Sequence, residues 1–254
     1  MMRASKSKLA KQRIDKMDPI KIVDIIDASA RTNELLSQLL EDNKVLEVLK
    51  SKMNDLTLII PAKNESETLP VVLESLNKLK LKIIISLKND DLETINSIVK
   101  NKNIKIYFQS GNGYGNSLRE AINFCETKYF CIFNADGSFD PKYLSELKNQ
   151  VLSGQDFVFC SRYEKEGGSE DDTIITYIGN KFFTGFCNLL FKLNLTDVLF
   201  TYVMGSTEAF KNLDMKFCDF SFCVELPIKA KLKNYTLGNL PSFERSRIAG
   251  IKKV

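Results

Sequence analysis

YFCIFNADGSFDP, residues 129–141, is the stretch on which the reading of this chain turns. Five apolar residues, Tyr129 to Phe133, end in the small polar run Asn134-Ala135-Asp136-Gly137-Ser138, and Asp140-Pro141 reads as a helix start. A buried strand that opens into a short acidic loop is where an α/β protein places a ligand. Asp136, flanked by an amide and a hydroxyl, offers hard oxygen ligands suited to a magnesium or manganese ion carrying phosphates. Asn, Asp, Gly and Ser are also the common turn formers, so a solvated turn is the competing reading.

Working outward, strands and helices alternate. LTLII (56–60), KIIIS (82–86), IKIYF (104–108) and DFVFC (156–160) read as four more strands. Between them, helical faces run through Leu69, Val72, Leu73 and Leu76, through Leu92, Ile95, Ile98 and Val99, and through Leu118, Ala121, Ile122 and Cys125. Asn64 with Glu67 has the spacing of a capping box for the first helix. The turn Gly111-Asn112-Gly113-Tyr114-Gly115 leads into the third, an arrangement that suits either an anion or simply a tight loop. The alternation predicts an α/β domain with a mostly parallel sheet flanked by helices. Ligands then gather at the carboxyl ends of the strands, where 61–65, 86–91, 110–116, 134–138 and 161–163 converge.

Residues 1–53 differ. They contain no glycine and one proline, Pro19, and apolar residues recur at Ile22, Ile25, Ile26, Leu35, Leu39, Leu46, Leu49 and Met53. This predicts an amphipathic helical extension over 1–53, ahead of a main domain over 54–254. Packing on the main domain, homo-oligomer formation and peripheral membrane contact are the three uses open to it.

Composition excludes several chemistries. Of 254 residues, 44% are hydrophobic, enough for a sizeable core. No apolar run reaches the roughly 20 residues of a spanning helix, and FFTGFCNLLF (182–191) and VLFTYVM (198–204) are too short or carry polar residues. The N-terminal MMRASKSKLAKQR lacks the apolar core of a secretion signal, so a cytoplasmic location is expected. The six cysteines form no CxxC pair, which leaves zinc and redox chemistry without support. Histidine is absent, which removes every Ser-His-Asp triad, Cys-His dyad and His metal site. Proton transfer falls to a carboxylate, Lys, Tyr or Cys, or the substrate is already ionised. Residues 1–16 hold six Lys/Arg against one Asp, and 229–254 hold seven against one Glu, although the net charge is only +4. Two basic ends on an acidic body suit phosphate or an anionic membrane better than nucleic acid.

PAKNE (61–65), GNGYGNSLREAI (111–122), NADGSFDP (134–141), CSRY (160–163), GNKFF with NLLF (179–191), LTD (195–197) and FCVEL (222–226), in that order, resemble the family 2 glycosyltransferases. The resemblance covers roughly residues 55–254 and is nearest to the dolichol-phosphate mannose synthase-like branch. It implies a GT-A fold, a UDP- or GDP-linked sugar donor, a Mg2+ or Mn2+ ion, and inverting transfer to a polyprenyl phosphate or a glycan hydroxyl. Asp136 and Ser138 then hold the cation, with Asn134 beside them. Pro61, Ala62, Asn64 and Glu65 shape the donor pocket, although Asn64 and Glu65 equally cap a helix. Gly113 lets backbone approach the donor, and Arg119 is either a phosphate contact or a solvated residue. Arg162 is a phosphate contact or a surface ion pair. Glu225, in its apolar frame, and Asp197, after a short strand, are the candidate bases. ERSRIAGIKKV (244–254), through Arg245 and Arg247, closes over bound donor or is a plain basic tail. Three positions depart from the family pattern: Asn134 for an acidic residue, Ser86-Leu87 for paired aspartates followed only later by Asp90-Asp91, and Val203 near an expected arginine. These departures keep open a non-catalytic nucleotide-sugar-binding relative. A sugar-nucleotide nucleotidyltransferase is the other alternative, disfavoured because PAKNE has no glycine and only Lys63.

Overall fold

The computed structural model of the chain describes Gln38 and residues 54–98 and 102–249. The expected helical extension otherwise lies outside the described residues. The five expected strands are β1 (Leu56–Pro61), β2 (Lys82–Leu87), β3 (Ile104–Phe108), β4 (Tyr129–Ile132) and β5 (Phe157–Ser161). Between them run α1 (Leu69–Asn77), α2 (Leu92–Ser97), α3 (Tyr114–Phe124) and α4 (Leu144–Leu152). Asp140 caps the entry to α4, its carboxylate accepting from the Lys142 amide at 3.0 Å. The chain continues through β6 (Gly168–Ser169), α5 (Ile174–Phe191), β7 (Val203–Ser206), α6 (Thr207–Lys211), α7 (Phe222–Leu232), β8 (Leu237–Pro241) and β9 (Phe243–Glu244).

Seven strands form one sheet in the order β3-β2-β1-β4-β7-β5-β8, while β6 and β9 form a separate short ribbon. All neighbours in the large sheet pair in parallel except β7, which runs antiparallel between β4 and β5. β1, β2, β4 and β5 therefore point the same way, and the loops that follow them share one edge.

The two faces are sorted by the period of two along each strand. Leu56, Leu58 and Ile60 of β1, Tyr129 and Cys131 of β4, and Val158 and Cys160 of β5 enter one core with α1 and α4. Ile59, Phe130, Ile132, Phe157 and Phe159 enter the other, with α3, α6 and α7. Continuous apolar runs are what a doubly covered strand requires. Five of the six cysteines are buried and all are free, which fits their reading as small hydrophobes.

Two local expectations are corrected. The capping box at Asn64 does not form: α1 begins after Thr68, with Pro70 in its first turn, and Asn64 sits at a left-handed φ of 54°. Its amide donates to Asp91 at 2.7 Å, and that contact outcompetes capping. Asp197 follows irregular chain rather than a strand. Asn188 there both donates to the Leu195 carbonyl (2.7 Å) and accepts from its amide (3.1 Å), so side chains replace a ladder. β7 and β8 were not read from sequence, because VMGS and LGNLP are too short and glycine-bearing to show alternation.

Lys148 of α4 is buried with its ammonium 2.6 Å from Asp55 and 3.6 Å from the centre of the Tyr129 ring. Burial lowers its pKa against the pull of Asp55. Asp55 stays half-exposed, so deleting the lysine strands no buried charge. Lys148→Met is expected to leave stability within about 1 kcal/mol of wild type, or raise it, in urea denaturation.

Candidate active site

Asp136 sits in the loop after β4, at the shared carboxyl edge. Its Oδ1 accepts from the Ser138 amide (3.0 Å) and hydroxyl (2.7 Å), and the Asn134 amide nitrogen donates to that hydroxyl at 3.2 Å. The three oxygen-bearing residues expected to meet a cation are thus adjacent. Among the described residues, no group of three or more His, Cys, Asp or Glu is placed to hold a metal ion. A site with fewer than three such groups fits an ion that arrives with its own phosphate ligands rather than one caged by protein.

The C-terminal segment lies against this loop. The Ile248 amide donates to the Asp136 carbonyl and the Arg245 amide to the Ser138 carbonyl, both at 3.0 Å. Gly137, at φ 83°, admits the Ile248 side chain where any Cβ would collide with it. Arg245 pairs with Asp140. Arg247 pairs with Asp171 at 3.0 Å, and its Nε, which has no hydrogen-bond partner, lies 3.7 Å from Asp136 Oδ2. Arg245 and Arg247 thus lie beside the acidic loop, Arg245 on Asp140 and Arg247 between Asp136 and Asp171.

Arg162, directly after β5, is enclosed by carboxylates. Its Nε meets Asp197 Oδ2 at 2.7 Å and its Nη2 meets Oδ1 at 3.1 Å, a bidentate pair. Nη1 lies 3.2 Å from Glu244 and 3.6 Å from Asp172. Burial opposes the charge on Arg162, but the bonds and charge of Asp197, with Glu244 beyond, outweigh it and hold the proton more tightly than usual. Asp197 is fully buried with both oxygens engaged by this guanidinium. Its expected role as a base gives way to that of counter-ion.

Glu225 is likewise committed. Its two oxygens accept from the Lys216 amide (2.7 Å) and the Phe217 amide (2.8 Å), and Lys229 pairs with it at 2.8 Å. Instead of facing substrate as a base, it anchors the 216–218 segment onto the start of α3. There the Cys218 carbonyl accepts from the Asn116 amide at 2.9 Å. It also abuts Gly113, whose φ of 100° and missing Cβ are both required by that approach. The glycine turn thus receives the chain's own backbone where an anion was considered. Arg119 reaches the Met215 and Lys216 carbonyls and Asn116 Oδ1. Glu225→Ala is expected to cost about 2–3 kcal/mol by stranding two amides, read as a lower melting temperature. Glu225→Gln keeps most turnover, whereas loss of a true base would cost 100-fold or more.

The PAKNE loop is held from α2. Pro61 pairs with Ser86 in register, and the Ala62 amide donates to the Ser86 carbonyl at 2.9 Å. Asp91 takes the Asn64 amide, the Glu65 amide donates to the Thr94 hydroxyl at 2.9 Å, and Glu65 accepts from Thr68 at 2.7 Å. Ser86 and Leu87, where the resemblance places paired aspartates, are fully buried, and Ser86 exchanges hydrogen bonds with Ser117 of α3. Val203 is likewise buried, in β7.

The Glycosyl transferase family 2 model matches residues 57–214. The chain belongs to that family. The low-salt glycan biosynthesis hexosyltransferase Agl6 of Haloferax volcanii is 27% identical over 134 residues, covering 52% of this chain. The match spans 32%, about a third, of that relative's length. Glucosyl-3-phosphoglycerate synthase from Mycobacterium tuberculosis, crystallised with Mn2+, UDP and glucosyl-3-phosphoglycerate, aligns at a TM-score of 0.59 and 15% identity over 82% of this chain and 75% of that one. Mannosyl-3-phosphoglycerate synthase from Rubrobacter xylanophilus aligns at 0.59 and 16% identity over 78% and 70%. These likenesses show the GT-A fold.

Within this family 2 member, sequence reasoning missed several residues at the edge. Asp171, Asp172 and Glu244 complete the surroundings of the two arginines. Tyr114 is half-buried, with its hydroxyl on Thr201 at 2.9 Å. Burial pushes its phenol up, against the Thr201 bond, and the charges of Cys223 and Asp136 add to the rise. The only linear trace of the acidic group was the run EKEGGSEDD (164–172), which carries no periodicity.

Proposed function

We propose that this family 2 protein transfers a sugar from a nucleoside-diphosphate sugar to an acceptor hydroxyl, by direct displacement with inversion at the anomeric carbon. The observation that carries the reading is the Asp136–Arg247 contact. A carboxylate already steadied by Ser138 stands 3.7 Å from a guanidinium nitrogen that has no hydrogen-bond partner. Opposite charges in that arrangement suit a cation on one side and a diphosphate on the other. Asp136 and Ser138 would hold the Mg2+ or Mn2+, which when bound neutralises the departing diphosphate. Manganese, magnesium and UDP in the mycobacterial synthase structures support that choice.

The surroundings of Arg162 support one acceptor over the other in this reading. Asp197, Glu244 and Asp172 occupy its donors, so a polyprenyl phosphate would have to displace carboxylates to reach it. That favours a glycan hydroxyl over the lipid phosphate of the dolichol-phosphate mannose synthase-like branch. A hydroxyl needs a base, and Asp171, the more exposed rim carboxylate, takes that place in our reading. The family favours transfer over nucleotidyl chemistry. A non-catalytic nucleotide-sugar binder is the second reading, supported by Asn134 standing where the family pattern has an acidic residue.

The test is calorimetry with UDP and GDP, with and without manganese, beside a donor-turnover assay with saccharide and polyprenyl-phosphate acceptors. Manganese-dependent turnover onto a saccharide, with inverted product by NMR, is the expected result. Binding without turnover selects the second reading, and absence of both binding and turnover overturns each.

A further inference from the structure

α5 carries an exposed apolar face with no partner among the described residues. Ile174, Ile175, Ile178, Phe182, Leu189 and Leu190 are 55 to 84% exposed. At 100° per residue, the positions from Ile174 round to Phe183 fill about half the circumference, and every one is apolar or glycine. The opposite side is locked to the body, so the face has a fixed aim. Thr184 and Cys187 are buried, Asn188 holds Leu195, and Asn180 donates to the Tyr163 hydroxyl at 2.7 Å.

We infer that this face docks the protein onto an anionic lipid bilayer, with α5 lying in the interface plane. Its width argues against a second copy. A helix partner covers a narrow seam, two positions in seven, and would leave most of the arc in water. A bilayer covers all of it, and an amphipathic helix with a broad apolar face and basic flanks is what lies in that interface. The edge charges agree. Lys181 borders the arc and Lys192 caps its end, and neither has an ion pair among the described residues. At the other end, Asp171 and Asp172 lie against Arg247 and Arg162, which they share with Asp136, Asp197 and Glu244, so the basic charge of this face is that of Lys181 and Lys192. Eighteen residues span about 27 Å, but no described helix is long and apolar enough to cross a membrane, so α5 rests on the surface. Because α5 starts beside Asp171 and Asp172, docking sets the Asp136 edge near the headgroups. Docking and sugar transfer are separable: each stands if the other fails.

Flotation of the full chain with phosphatidylglycerol-containing and pure phosphatidylcholine vesicles tests this. The chain should float with the anionic vesicles. Phe182→Glu with Leu189→Glu, which alters only exposed positions, should lower the bound fraction at least tenfold at an unchanged melting temperature. Lys181→Glu should lower it several-fold and flatten the salt dependence. No flotation on anionic vesicles overturns the inference, as does flotation that the double variant leaves intact, since the contact would then lie elsewhere. A dimer that the double variant dissolves, without vesicle binding, assigns the face to a second copy. A spin label at position 182 shielded from water in dilute, vesicle-free protein would show the face already covered by the chain itself, and overturns it too.

Discussion

Asp136→Ala is expected to lower donor turnover about 100- to 1,000-fold, the scale seen when one preorganised charge-stabilising group is removed. The loss has two origins. Asp136 Oδ1 holds the Ser138 amide and hydroxyl, so the alanine variant loosens the loop. Oδ2 faces Arg247, so the same change leaves that guanidinium with Asp171 as its remaining close carboxylate and removes the negative charge meant for a cation. Asp136→Asn separates these. An amide oxygen still accepts from Ser138, and the loop keeps its shape, but the charge is gone. Both variants should lose manganese-dependent UDP binding in calorimetry, and Asp136→Asn should melt near wild type. Turnover in Asp136→Asn within a few-fold of wild type would show that the charge is not used, and the cation assignment would fall with it.

Arg162→Leu is expected to destabilise the protein by about 3–5 kcal/mol, because removing one partner of a buried ion pair leaves the other uncompensated. Asp197 is fully buried and would keep only the long 3.4 Å contact from the residue-162 amide. For a chain of this size that is a fall of about 10 °C or more in melting temperature. Arg162→Lys restores charge without the two-pronged fork and should recover only part of the loss. The double variant Arg162→Leu with Asp197→Leu should be more stable than Arg162→Leu alone, giving a coupling energy that only a direct pair produces. A melting temperature for Arg162→Leu equal to wild type would show that the pair is not structural, and would return Arg162 to the role of phosphate contact.

These outcomes bear on how far linear order reaches. The run from Tyr129 to Pro141 carries its own meaning: five consecutive apolar residues, then turn formers, then an acid before proline. Each of those signals is local, so strand, loop and helix entry were all legible. The mostly apolar runs of β1, β2 and β5 likewise fit strands covered on both faces, whereas β3 carries Lys105 and lies at the sheet edge with Ile106 and Phe108 exposed. Glu225 shows the limit. Its apolar frame marked it as a buried carboxylate, but burial says nothing about what fills its oxygens. The two amides that do so belong to Lys216 and Phe217, brought round by the turn into α7. Asp197 and Arg162 were each singled out, and nothing in their spacing of 35 residues says that they neutralise one another.

The amino-acid sequence by itself determined the strand–helix rhythm, the acidic loop at a strand's carboxyl end and the absence of histidine chemistry, because periodicity and residue type act over a few neighbours. Only the tertiary structure decided the antiparallel insertion of β7, the carboxylates around Arg162, the seating of Arg245 and Arg247 on the acidic loop and the open apolar face of α5. Those depend on which groups lose water together when distant segments meet, and that cost is set by spatial neighbours that chain order does not name.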